Sequence, residues 1–167
     1  MISLVRVDNR LLHGQILECW VPRLKIRRVV VADDEAAASP LAQAAMCLCV
    51  PPDLPVEVLP VGSVDWPGLA AAPEPVLVLM RDLAGLWRAA QAGLTPALAP
   101  RVNLGNVHYG AGRRPVTPSV FLSEAEVKAV QAVAARGFEV EARAVPSDAP
   151  VGPAALAGKW AAAGEKR

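Results

Sequence analysis

Short, near-continuous runs of β-branched and aliphatic residues recur through this chain, over residues 2–7, 26–32, 56–61, 76–80, 101–104 and 138–145. Runs that do not alternate with polar residues suit strands covered on both faces, which is the condition of a parallel sheet. Between them lie stretches of helical spacing and composition, residues 14–24, 36–49, 63–71, 83–92 and 124–136. Strand and helix in turn predict an α/β fold, a single domain with a mainly parallel β-sheet flanked by helices on both faces. Residues 113–121 fit a short antiparallel hairpin or an edge strand. With 167 residues, 53% of them hydrophobic, the chain supplies one sizeable core. The expected domain is 1–160, with 161–167 as a frayed C-terminal tail.

Several boundaries have local chemical causes. Ser123 with Glu126 three residues later forms a capping box ahead of the apolar stripe Val127, Val130, Val133 and Ala134. Gly137 and Gly93 stand where helices should end, and Asp82 where one should begin.

The charge balance narrows the function. Lysine plus arginine (17) nearly cancel aspartate plus glutamate (16), so the basic surplus that draws nucleic acid or an anionic membrane is missing. The longest charge-free stretch, 36–52, carries Ser39, Pro40, Gln43 and a terminal Pro51-Pro52, which disfavours a membrane span. Arg6, Asp8 and Arg10 interrupt the region where a secretory signal needs its apolar core, and a cytoplasmic location is expected. Three cysteines, two of them separated by one residue at Cys47 and Cys49, fit structural thiols on a buried helix better than a metal or redox motif. With two histidines in the chain, no metal site is expected.

The chemistry concentrates after the first strand. Arg6, Asp8, Asn9, Arg10, His13, Gly14 and Gln15 lie between that strand and the next helical segment, and open α/β sheets bind ligands in such loops at the carboxyl ends of strands. One imidazole, two guanidiniums and a helix N-terminus suit an anion, phosphate above all. His13 is a competent nucleophile near neutral pH or, alternatively, a capping histidine. Arg6 either contacts phosphate or pairs with Asp8 within the strand. Asp8 either orients an arginine or His13, or caps the loop. Gly14 can permit close backbone approach, and its amide can donate to an anion. Asp33 and Asp34 end the second strand at the same sheet edge and are candidates for shaping the site.

The segment RVDNRLLHGQI, followed by Trp20, resembles the phosphorylation-site segment of the IIB components of the mannose/fructose/sorbose-type phosphotransferase system. Similarity continues through Val29 to Asp34, the Asn103-Leu-Gly105 loop, Phe121 to Glu126, Ala135 to Val140 and Pro146 to Asp148. The resemblance implies a cytoplasmic phosphocarrier, peripheral to the membrane only through its partners and requiring no cofactor. His13 would accept a phosphoryl group from a phosphohistidine on a IIA protein, Arg10 would neutralise its charge, and the group would pass to a sugar during uptake by the membrane subunits IIC and IID. Asn103 joins the candidate site on the same ground. Two features depart from the family pattern. Asn9 stands where acidic or hydroxyl residues are usual, and His108-Tyr109 lies in a glycine-rich loop with Arg113 and Arg114. That loop serves phosphate binding, partner recognition or no chemistry at all. Two other readings stay open: a regulatory phosphoacceptor without sugar transport, and a small-molecule-binding α/β module.

Overall fold

The β-branched runs form the sheet as their composition demands. In the computed structural model, which describes residues 1–164, six strands pair in parallel in the order β3-β2-β4-β1-β5-β8. They are β1 (Ile2–Asp8), β2 (Arg28–Ala32), β3 (Val56–Leu59), β4 (Val76–Met80), β5 (Arg101–Asn106) and β8 (Glu139–Ala142). Two further strands, β6 (Arg114–Thr117) and β7 (Val120–Leu122), form an antiparallel pair, settling the expected hairpin at 113–121.

Every residue of β4 is fully buried, consistent with its place between β2 and β1. The sheet is covered on both sides. One face packs Val5, Val7, Val78, Met80, Val102 and Leu104 against α4 (Trp66–Ala71), α5 (Leu83–Gln91), α6 (Glu124–Ala135) and α7 (Pro153–Gly164). The other packs Leu4, Val29, Val31, Leu77 and Leu79 against Leu11, Leu12, Ile16, Trp20 and Ala36.

The helix expected over 14–24 is present, but it widens into a π-helical turn at Ile16–Trp20 before closing as α1 (Val21–Leu24). The segment 36–49 divides into α2 (Asp34–Ala37) and α3 (Pro40–Cys47). Ser39 accepts a hydrogen bond from the Ala42 amide and Pro40 starts the next helix, so a cap falls where continuity was expected. Cys47 and Cys49 are exposed and Cys19 half-buried, which corrects the expectation of buried structural thiols. The capping box at Ser123–Glu126 forms with both of its hydrogen bonds. Gly93 and Gly137 follow α5 and α6 with left-handed backbone, φ +111° and +98°.

The strongest departure lies at the C-terminus. Residues 161–164, expected to fray, continue α7, and Trp160 in it donates a hydrogen bond to the Leu122 carbonyl at 2.8 Å. The last part of the expected tail, 165–167, lies outside the described residues.

Candidate functional site

The carboxyl end of β1 carries the site. Arg6 and Asp8 are two residues apart on the strand and therefore share a face. Asn103 and Gly105 occupy the same face of the adjacent β5, since Arg6 pairs in register with Asn103. Arg6, Asp8 and Asn103 are completely buried.

Asp8 is the hub. Its Oδ2 accepts hydrogen bonds from the Arg6 guanidinium at 2.9 Å and from His13 Nε2 at 3.1 Å, and its Oδ1 accepts one from the Arg10 amide at 3.0 Å. Burial pushes the Asp8 carboxyl up, but the hydrogen bond from His13, the charge of Arg6 and the Arg10 amide outweigh it, and its pKa lies below the usual 3.8. An ionised carboxylate only accepts, so His13 Nε2 is the donor and carries the ring proton. In the neutral ring the lone pair is then on Nδ1.

The loop geometry explains why the ring stands there. The Leu11 amide donates to the Asp8 carbonyl at 2.9 Å, and Leu11, itself buried, takes a left-handed φ of +55°. Such a conformation in a bulky residue persists only where its surroundings hold it. The helix begins directly after His13, whose carbonyl accepts from the Ile16 amide at 3.0 Å. The first-turn amides of Gly14 and Gln15 follow His13 directly and have no acceptor within the helix. A Cβ added at Gly14 would meet nothing within 4 Å, so the chain's own packing does not demand glycine there. Arg10 is half-exposed; its guanidinium lies 3.5 Å from Asp8 Oδ1 and donates to Gln15 Oε1 at 3.2 Å.

Arg6 belongs to the interior and pairs with Asp8 within the strand. Besides Asp8, its guanidinium reaches Asn103 Oδ1 and the Arg143 carbonyl, and none of its surface is exposed. Gly105 makes this possible, because a Cβ there would lie 1.8 Å from the Arg6 guanidinium carbon. The Trp20 ring covers the cluster, 5.1 Å from that carbon, and donates to the Ala144 carbonyl at 3.0 Å.

Asp33 and Asp34 contact residues other than His13. Asp33 caps α2 and binds Arg81 through two hydrogen bonds of 2.8 and 2.9 Å, while Asp34 accepts from the Val61 amide and pairs with Arg88. His108 enters the neighbourhood through its backbone, its amide donating to Asn9 Oδ1 at 2.7 Å.

Sequence reasoning missed the roles of Gly105, Trp20, Arg143 and Asn9. The interruption of the apolar pattern on one face of β1 and β5 was the available signal for the first of these.

Residues 2–162 match the family PTS system sorbose subfamily IIB component. The mannose-specific EIIAB component of Escherichia coli is 28% identical over 150 residues, 89% of this chain; the chain spans 46% of the length of that relative. The fructose-specific EIIB component of Bacillus subtilis is 27% identical over 89% of this chain and 90% of its own length. Among solved structures, manxB from Thermoanaerobacter tengcongensis aligns over 96% of both chains with a TM-score of 0.83 at 24% identity. The IIBSor domain of the sorbose permease from Klebsiella pneumoniae aligns over 95% of this chain and 97% of its own, with a TM-score of 0.82 at 21% identity. These two likenesses concern the fold. The family match, spanning nearly the whole chain and including the loop around His13, means that this chain belongs to the sorbose subfamily of IIB components of the phosphotransferase system.

Proposed function

We propose that the chain is a phosphocarrier in sugar uptake. It accepts a phosphoryl group on His13 Nδ1 from a phosphohistidine of a IIA-type protein and passes it to a sugar handled by membrane subunits of the IIC and IID type. The observation that carries this reading is the buried, ionised Asp8 holding His13 Nε2 at 3.1 Å.

In the transfer, the Nδ1 lone pair forms the new P–N bond as the bond to the donor's ring nitrogen breaks, and that electron pair returns to the donor. The proton on His13 Nε2 stays in place. Once the lone pair is committed, the ring gains positive charge, and the Asp8 carboxylate beside Nε2–H compensates for it. Arg10 and the amides of Gly14 and Gln15 would neutralise phosphoryl oxygens, a role the open space at Gly14 supports. The bond broken and the bond formed are both phosphohistidine P–N bonds, so the exchange is nearly balanced and its rate depends on alignment.

Intact-mass measurement after incubation with a phosphorylated IIA protein tests this. The expected result is one acid-labile phosphoryl group on the wild type and none on a folded His13→Ala variant. Labelling of His13→Ala to the same extent would overturn it.

A further inference from the structure

We propose that the loop carrying His108 and Tyr109 is the docking ledge for the phosphoryl-donor protein, with Tyr109 as its anchor. This rests on the reading of His13 as the acceptor.

The loop is held rigidly at the rim of the site. Asn9, next to Asp8, binds both neighbours of β1: its amide donates to the Asn106 carbonyl at 2.9 Å, its side-chain nitrogen to the Arg81 carbonyl at 2.9 Å, and its side-chain oxygen accepts from the His108 amide at 2.7 Å. The far end is held as firmly. Arg113 donates to the His108 carbonyl at 3.0 Å and makes a two-pronged pair with Glu126, at 2.6 and 2.9 Å, while Glu126 also caps α6. Gly112 turns the chain with φ +77°.

What this scaffold presents is aromatic and open. Tyr109, the single tyrosine of the chain, is 72% exposed, its ring edge-on to Phe121 with centroids 6.1 Å apart, and His108 is exposed beside it. A rigid exposed aromatic loses little entropy on burial and is a frequent anchor of protein interfaces. Histidine-to-histidine transfer brings two folded surfaces to within one phosphorus atom of each other, so their contact must extend beyond His13. The ledge is tied through the His108 amide to Asn9, the residue that follows Asp8 in the acceptor loop. An approaching donor also carries the phosphoryl charge, which the exposed His108 imidazole can meet with a ring N–H.

The test measures transfer kinetics from the host's own phosphorylated IIA protein, defined as the one that labels wild-type His13, with phosphoramidate as a small donor that needs no docking. Tyr109→Ala is expected to raise the KM for the protein donor about tenfold, as loss of one interface anchor does. Its kcat and its labelling by phosphoramidate stay at wild-type values, and Tyr109→Phe restores most of the KM. An unchanged KM in Tyr109→Ala overturns the proposal. So does a matching loss with phosphoramidate, which would mean distortion of the site, or a loss confined to onward transfer to sugar, which would assign the ledge to the membrane subunits. Failure of either donor to label wild-type His13 would instead strike the reading of His13 itself.

Discussion

Toward their carboxyl ends, the two faces of β1 and β5 are both buried and chemically opposite. On one, Val5, Val7, Val102 and Leu104 join the large core; on the other, Arg6, Asp8 and Asn103 are also fully buried but bind one another through charge and hydrogen bonds. The apolar face stabilises the fold without direction, since burial of hydrocarbon has no preferred geometry. The polar face adds orientation. Two buried charges gain little net stability over hydrocarbon of the same volume, yet here they fix a carboxylate under one ring nitrogen of His13.

The largest effect separating the faces is expected from Asp8→Ala. It leaves the Arg6 guanidinium buried without its counter-charge and should destabilise the protein by about 4 kcal/mol in urea unfolding, with loss of phosphoryl acceptance at His13. Leu104→Ala, on the opposite face of the neighbouring strand, should cost about 3 kcal/mol through a cavity. Its transfer rate per folded molecule should match the wild type. Gly105→Ala reverses that pattern. Its methyl would take the place of the Arg6 guanidinium carbon, so we expect about 2 kcal/mol of overpacking strain together with a slowed transfer. If Gly105→Ala kept the wild-type rate, the polar face would be a structural feature alone.

How much of this division was legible in the sequence differs between its parts. The apolar runs announced the parallel sheet, and the contiguous Asp8, Arg10 and His13 announced the acceptor loop, because a strand and the loop that follows it stay together in the fold. The completion of the polar face was not legible from that segment. Asn103 lies 97 residues from Arg6, and its place opposite Arg6 follows from β1 and β5 pairing in register. Arg6 shows the limit of composition: two guanidiniums near a histidine read alike, but alternation along β1 turns Arg6 inward, while Arg10 in the loop stays half-exposed. The missed helix α7 has another cause. Its alanines supply small apolar residues on every side, and only Leu156 is buried, so no contrasting stripe marks it.

The smallest expected effect is on acid stability. The Asp8 pKa is lowered in the fold, so its contribution is complete above the ordinary carboxylate value of 3.8 and is lost as the pH falls below it through the folded value. Asp33, drawn down by Arg81 and the Ala36 amide against the opposing effect of burial, adds a slope of the same sign. Urea midpoints measured from pH 5 downward should therefore fall less steeply in Asp8→Ala than in the wild type. Leu104→Ala should keep the wild-type slope. Equal slopes in all three proteins would mean that Asp8 is not held as a carboxylate by its neighbours.

The central claim is that the polar face selects one nitrogen of His13 for chemistry. Long-range proton–nitrogen correlation spectra of nitrogen-15-labelled protein, recorded before and after phosphorylation, test it most directly. The expected result is a proton on Nε2 in both states and phosphorus coupling on Nδ1 after transfer. Phosphorus coupling on Nε2, or a resting ring protonated on Nδ1 alone, would contradict it.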